Sequence, residues 1–591
     1  PPSPHCYNYF VAKFFSNTDI ARLLREISAA YEAKGENRFK VIAYDNAATS
    51  VEHATSELKD LWEEGHLDTV PGLGKSIQEH LDELFRTGKV KHFEVVKKGL
   101  PPGMFSLLDI GGLGPKSAYK LAKGLNLKSP DDLEEAAKKG KIRKIPGFGE
   151  KSEEDILTAI SEIKGRGTRH LLPIAFATAE RILGHLRQHK DCQRAEPLGS
   201  LRRMVATVGD IDIAVASDKP QAMIDHFQKF REINRVLEAG PRKSSVLLRN
   251  SIQIDLMVSP PRAFGALLQH FTGSKNHNIH LRELALTKSM SVSDYGIKVK
   301  NKTHEFKTEE EFYKFLDLTY IEPELREDTG EIEAALAHKL PQVVDVKDIK
   351  GDIHLHSDYP IEPSHDLGTN SFEQIIKRAK ELNYDYVGLS DHSPGFSTHS
   401  KQQIIDLIKR RTEKIEYLKS SSKNIKVLNL LEIDILTNGE LSVPEEGLKL
   451  LDGAIAGIHS SHRQDKKTIT KRLMAAVNSP YVQVISHPTG RLLNQRESYE
   501  ADWPKVFEAC ARTKTMLEIN AYPNRLDLSD TLVREAARVG VKLTINTDSH
   551  ELSQMDNMKF GVAVARRGWA TKEDIANTLP WVEFKNLFRY H

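Results

Sequence analysis

Apolar positions recur at helical spacing in DIARLLREISAAYEAKG (19–35), which closes on a glycine, and helices are expected over 19–65. A short pattern then occurs three times: VPGLGKS (70–76), IGGLGPKS (110–117) and IPGFGEKS (145–152). Each copy sets an apolar residue before a turn, then Gly-x-Gly, a basic residue and Ser, with a helical stretch after it. Between 198 and 258 the period changes to two, and DIDIAVAS and SVLLRNSIQIDLMVS alternate as strands do. Residues 262–315 return to helix and turn. The charged, proline-marked segment 317–350 is expected to be an interdomain linker with a short helix in its middle.

From residue 351 onward, strands and helices alternate regularly. Strand after strand ends in a residue able to bind metal: VGLSDH at His392, VLNLLEIDIL around Glu432, AIAGIH at His459, VQVISH at His487, MLEIN at Glu518, and LTINTDSH at Asp548 and His550. Parallel strands whose C-terminal ends converge predict a distorted TIM-like α/β barrel with its site on that face.

Composition narrows this picture only a little. A chain of 591 residues should form several domains, since single cores seldom exceed about 250–300 residues. The net charge of +2 announces no dominant basic field. Acidic metal pockets and a basic DNA track can cancel on one chain, so charge does not choose the partner. Cys6, Cys192 and Cys510 are far apart and offer no CxxC pair, which argues against a disulfide framework. No apolar run is long enough to span a bilayer. The stretch PPSPHCYNYFVAKFF lacks the order of a secretory signal, and a cytoplasmic, nucleoid-associated protein is expected.

The three Gly-x-Gly turns carry the first chemistry. Glycines let a tight turn bring backbone N–H groups close to an anion, and the helix that follows favours a phosphate at its N-terminus. One such turn is weak evidence, but three in the same context, each with a lysine close behind, resemble helix-hairpin-helix motifs that hold DNA backbones without reading sequence. The expected DNA contacts are Gly72, Gly74 and Lys75, then Gly112, Gly114 and Lys116, then Gly147, Gly149 and Lys151. The plainer reading is a set of helix-packing turns.

PLGSLRRMVATVGDIDIAVAS (197–217) places Gly199-Ser200 and Arg202-Arg203 ahead of Asp210 and Asp212, and IQIDLMVS supplies Asp255. Alternate residues of a strand share a face, so Asp210 and Asp212 can point at one metal pair, and a neighbouring strand can add Asp255. Three carboxylates around two Mg²⁺ or Mn²⁺ ions suit in-line phosphoryl transfer.

With FTGSKNHNIHLRELA (271–285), these motifs resemble a family X DNA polymerase of the kind related to DNA polymerase beta, over about residues 17–317. The resemblance implies that Asp210 and Asp212 bind both metals and that Asp255 helps deprotonate the primer 3′-hydroxyl. It implies that Ser200 and Arg203, with Gly199 and Gly209 beside them, hold the incoming triphosphate. Phe271, Gly273 and Asn278 would line the sugar and base pocket, with Arg282 on the template minor groove. Two positions depart from the family. His270 stands where Tyr is common, which bears on ribonucleotide rejection. His80, in GKSIQEH, stands where lyase-competent relatives carry a Schiff-base lysine, so no lyase activity is expected there.

The second half, HLH…SDH…LEID…GIHSSH…ISHP…NTDSH, resembles the polymerase and histidinol phosphatase (PHP) domain over about 350–575. Imidazole suits Zn²⁺, Mn²⁺ or Fe²⁺, and a carboxylate can bridge two ions. The resemblance assigns His354, His356, Glu432 and Asp548 to a first metal, with Glu432 bridging to a second held also by His459. It gives His392, His487 and His550 to a third, together with an Asp from the loop after HLH. That loop, SDYPIEPSHDLG, is longer than usual and offers Asp358 and Asp366. Asp366 keeps the better local likeness, and His365 beside it is a further candidate ligand. Arg491 and Arg525 are candidates to grip a substrate phosphate.

The expected domains are helical over 1–92 and 93–170, an α+β nucleotidyltransferase palm over 171–260, a nucleotide-selecting domain over 261–317, the linker 318–350 and the metallohydrolase over 351–591. The expected function is gap-filling DNA synthesis from deoxynucleoside triphosphates by a monomer. The barrel is expected to add metal-dependent 3′–5′ exonuclease activity and, by resemblance, abasic-site cleavage. The alternatives are a barrel acting only as scaffold, or one acting as a small-molecule phosphatase.

Overall fold

The computed structural model describes residues 15, 17–52, 58–63, 67–70, 72–108, 110, 113–166, 169–422 and 424–588. They fall into two compact units, one within 1–168 with 249–252 and the other within 169–248 with 253–591.

The first unit is helical. Asn17–Ala33, Arg38–Glu52, Lys75–Thr87 and Lys91–Lys97 bury the apolar stripe read from the sequence, with Ile20, Leu24, Ala47, Val51, Leu81 and Phe93 at its centre. A second cluster joins Leu107, Leu121, Leu133, Ile142 and Ile160 from the helices that follow. The recurring turns close with the same backbone bond: Leu73 N donates to Val70 O, Leu113 N to Ile110 O, and Phe148 N to Ile145 O.

The second unit holds three sheets that matter to function. A five-stranded mixed sheet orders Arg194–Pro197, Ile211–Ala216, Gln253–Ser259, Lys243–Leu248 and Ile233–Ala239. Its single parallel pair sets Asp212 directly opposite Asp255. Next comes an antiparallel meander, Met290–Ser293, Gly296–Val299 and Lys302–His304, packed with the helices Phe264–Thr272, Lys275–Thr287 and Glu309–Phe315.

Within the segment expected as a linker, residues 318–335 pack into a core. Leu318, Ile321, Leu325, Ile332 and Ala335 share one core with Leu281, Phe312 and Tyr313. Two of the segment's charges are buried in pairs: Arg326, fully enclosed, donates to Glu309 at 2.6 Å and to the Ile321 carbonyl, and Glu331 meets His277 at 2.7 Å. Composition shows the charges but cannot show that these two are buried against partners. Breaking such a buried pair typically costs about 3–5 kcal/mol.

The third sheet has seven parallel strands in chain order: Gly351–Asp352, Tyr386–Leu389, Lys426–Asp434, Gly453–Gly457, Val482–Ile485, Met516–Asn520 and Leu543–Asn546. It curls into a nearly closed barrel. The gap between last and first strands is bridged by Leu355 against Ser549 and by Asn577, which donates to the carbonyls of Gly351 (2.8 Å) and Ile545 (2.6 Å). Phe584 and Phe588 join Tyr386, Leu430, Ile455 and Val484 in the barrel's apolar core. The C-terminal ends of the strands are left to polar residues.

Candidate metal centres

Gly74 and Gly114 each precede a helix as its N-cap, and Gly72 and Gly147 adopt left-handed φ values of +81° and +97°. A Cβ at Gly74, Gly114 or Gly149 would meet nothing within 4 Å, so these turns leave open space beside the backbone. Lys75, Lys116 and Lys151 are exposed one or two residues beyond. Gly112 lies outside the described residues. His80 is not free to act as an amine-like nucleophile: its ring stacks on His92 at 4.7 Å, and Nδ1 meets the Tyr44 hydroxyl at 2.9 Å.

In the palm, ligand oxygens of Asp210, Asp212 and Asp255 lie within 4.8 Å of one another. Burial, and then the charges of Asp210 and Asp255, push Asp212 well above the usual carboxylate range. Lys243 stands 3.8 Å from Asp255, and the charges of Arg169 and Arg203 also favour the ionised acids. Three crowded carboxylates whose mutual repulsion and burial disfavour their ionised forms suit a divalent pair. Gly199 has φ +56°, and a Cβ there would lie 2.6 Å from Asp212 Oδ2, so only glycine lets this turn approach the acid.

Around that site, Ser200 lies on the short helix Gly199–Arg202. Arg203 donates from Nη1 to the Thr272 carbonyl (2.6 Å) and from Nε to Glu327 (2.9 Å). Gly209 sits beside Arg169, whose guanidinium bonds Thr207. A Cβ on Gly273 would come within 3.2 Å of Arg203. Asn278 is fixed by Gln269 and by the His270 carbonyl, while Phe271 packs edge-on to His270 at 4.8 Å. Burial, then the Arg282 charge, pushes His270 down to about 3 and keeps its imidazole neutral.

At the barrel mouth Glu432 occupies the centre. Its Oε2 lies 3.1 Å from His354 Nε2 and 3.6 Å from His356 Nε2, and Asp548 Oδ1 completes this group at 3.5 and 3.1 Å from the same nitrogens. Its Oε1 faces the other way, 3.2 Å from His459 Nε2 and 2.8 Å from His487 Nε2. His487, assigned by resemblance to the third set, therefore stands in the second, 3.2 Å from His459. The third group gathers Asp366 with His392 (3.6 Å) and His550 (3.4 Å). Asp358 is exposed, and its backbone N–H donates to the Asn370 carbonyl at 3.0 Å.

Buried atoms here lack hydrogen-bond partners: His354 Nε2, His356 Nδ1, His392 Nδ1, His487 Nδ1, His550 Nε2 and Glu432 Oε2. Buried polar atoms are rarely left so, and this concentration of imidazole and carboxylate fits divalent ions. Burial drives His354 toward neutrality, but Glu518, Glu432 and Asp548 outweigh it and hold the ring well above its usual range. Burial also opposes the charge on His459, yet Glu432 and Asp434 raise that imidazole to about 9.

The sequence reading takes Glu518 only as a metal-capable strand end and does not single out Asp434, Arg496, His462 or Tyr522. Asp434 orients His459 through Nδ1 (2.6 Å) and holds His365 at 3.0 Å; it lies two residues beyond Glu432 on one strand, a period-two signal. Glu518 orients His354 in the same way (2.7 Å), as carboxylates behind ligating histidines commonly do. A cavity of about 330 Å³ over the cluster is lined by Arg525 and also by Arg496, His462 and Tyr522. Arg491, by contrast, spends its guanidinium on the carbonyls of Arg525 and Leu526.

Comparisons with known proteins follow this division of the chain. Residues 15–90 match a helix-hairpin-helix domain, 105–162 a SAM-like helix-hairpin-helix tandem and 267–327 the DNA polymerase beta thumb. The DNA polymerase/3′-5′ exonuclease PolX of Bacillus subtilis (strain 168) is 34% identical over 95% of this chain and 97% of its own length. A probable phosphatase of Thermoanaerobacter sp. (strain X514) is 24% identical over 38% of this chain and 89% of its own. DNA polymerase lambda of Arabidopsis thaliana is 24% identical over 52% of this chain and 62% of its own. No helix among the described residues is long and apolar enough to cross a membrane.

Proposed function

The chain belongs to the bacterial-type family X DNA polymerases with a C-terminal PHP domain, and from that premise we propose that it fills short gaps in DNA and trims 3′ ends with its barrel. The observation that carries the reading is the presence of two separate carboxylate-rich centres on one chain, Asp210–Asp212–Asp255 and the group around Glu432. Residues 1–170 hold DNA through the hairpin turns, 171–317 carry nucleotide addition, and 351–591 carry hydrolysis.

Asp210, Asp212 and Asp255 would hold Mg²⁺ or Mn²⁺ in the palm. The barrel residues His354, His356, Glu432 and Asp548, then His459 and His487, then Asp366, His392 and His550, would hold up to three Mn²⁺, Zn²⁺ or Fe²⁺ ions. Bound there, such ions supply Lewis acidity toward phosphoryl oxygens and lower the pKa of water. The protein's own groups do the rest. Ser200 and Arg203 hold the triphosphate of an incoming deoxynucleotide, and Phe271, Gly273 and Asn278 frame its sugar. Asp255, tied by Gln253 at 3.1 Å, receives the primer hydroxyl proton. In the barrel, Glu518 and Asp434 fix the ring faces of His354 and His459, and Arg525 and Arg496 offer guanidiniums to the substrate phosphate.

A pair of variants tests this assignment on a labelled gapped duplex with Mn²⁺. Asp212→Ala should abolish extension and leave trimming, while His356→Ala should do the reverse. Loss of both activities in either variant, or hydrolysis of a small phosphomonoester without any action on DNA, would sink it.

A further inference from the structure

The barrel helix Met558–Arg567 ends on a guanidinium that reaches into the polymerase. Arg567 Nη1 donates to Glu327 Oε1 and to the Arg203 carbonyl, both at 2.8 Å. Its other edge is anchored on the barrel by Asp530 Oδ2, 2.9 Å from Nε and 2.7 Å from Nη2. The same Glu327 Oε1 accepts from Arg203 Nε at 2.9 Å. One carboxylate oxygen is thus shared between an arginine of the hydrolase and the arginine assigned above to the triphosphate.

The setting makes that sharing consequential. The Arg567 side chain is 9% exposed, that of Arg203 13% and that of Glu327 27%, so water screens the exchange of charge only in part. Arg203 is also held by the Thr272 carbonyl, which leaves its position set and its electrostatic load adjustable. Asp530, the anchor, begins a helix just beyond the segment whose Tyr522 and Arg525 line the barrel cavity. A second fastening runs beside the first: Asn494 of the barrel donates to the Arg169 carbonyl at 2.7 Å, and Arg169 grips Thr207 just ahead of Asp210.

We propose that Arg567 is a positioning residue for nucleotide addition, drawing Glu327 partly away from Arg203 and so keeping Arg203 available to the incoming triphosphate. Through this contact the hydrolase barrel sets the nucleotide affinity of the polymerase. Without Arg567 the whole Glu327 charge falls on Arg203 and competes with the triphosphate for the same donors. Such competition acts equally on ground and transition states, so it raises KM with little effect on kcat. The proposal rests on the reading of Arg203 as a triphosphate ligand.

The test uses the full chain with Arg567→Gln, Glu327→Gln, the double variant and Arg203→Ala. Single-nucleotide insertion on a gapped duplex gives KM and kcat, and 3′ trimming by the same preparations checks folding. Arg567→Gln should raise KM for the nucleotide about five- to tenfold with kcat within about twofold. The double variant should return KM to within about twofold of the parent, because the competing charge is gone. A merely structural role predicts instead that the two losses add, and that result overturns the proposal. So does an unchanged KM in Arg567→Gln beside a raised KM in Arg203→Ala. An unchanged KM in Arg203→Ala would remove the reading of the nucleotide site itself, and the proposal with it.

Discussion

Gly199→Ala should silence the polymerase while sparing the barrel, and the size of the effect can be worked from the structure. A methyl at this position would lie 2.6 Å from Asp212 Oδ2, whereas ordinary contact begins at 3.4 Å. The acid or the turn must therefore yield by about 0.8 Å, since neither atom can overlap the other. The backbone adds to the strain, because φ +56° costs a non-glycine residue about 1 kcal/mol. Misplacing a reacting group by about 1 Å can cost about a hundredfold in rate. The expected loss in kcat/KM for extension is thus about 30- to 100-fold, or about 2–3 kcal/mol of transition-state stabilisation. Steady-state insertion into a one-nucleotide gap measures it, with thermal melting and 3′ trimming on the same protein as checks. Trimming should stay at the parent rate, since Gly199 belongs to the palm. A folded Gly199→Ala protein that extends within about threefold of the parent would refute the reasoning, because Asp212 would then not depend on that close approach.

Three other outcomes follow from the same geometry. Bound metal, measured by elemental analysis of the purified protein, should fall in Asp366→Ala and stay unchanged in Asp358→Ala, since Asp366 reaches His392 and His550. Asp294 is buried, and burial pushes its carboxyl up to about 7; one of its oxygens lacks a partner. Between the unfolded carboxylate range and about pH 7 the folded state holds the extra proton, so stability falls as pH rises through that window. Asp294→Asn should therefore melt close to the parent at pH 5 and above it at pH 8, and an identical gap at both pH values would contradict this. Finally, borohydride trapping on an abasic 5′-phosphate end should give no adduct within residues 66–90, because His80 has no primary amine to form an imine.

Much of this protein was determined by sequence alone, because its chemistry is tied to local period. Asp210 and Asp212 share a strand face by alternation, and the barrel histidines fall at strand ends because parallel strands in this architecture point their C-termini one way. The Gly-x-Gly turns were legible for the same reason, since their geometry depends on a few consecutive residues. What tertiary structure decided concerns partners distant in the chain. Asp255 stands opposite Asp212 only through the register of two strands. His487 joins His459 and Glu432 rather than His550, because the two oxygens of Glu432 face different ways. Arg491 and Arg525 looked alike in sequence, yet one is consumed by backbone carbonyls and the other opens on the cavity. The charged segment after 317 reads as an interdomain linker, whereas folding sets Arg326 against Glu309 and Glu331 against His277. Charge and polarity are visible in a sequence, but whether a charge is spent on a partner or left for a substrate depends on distances that only folding sets.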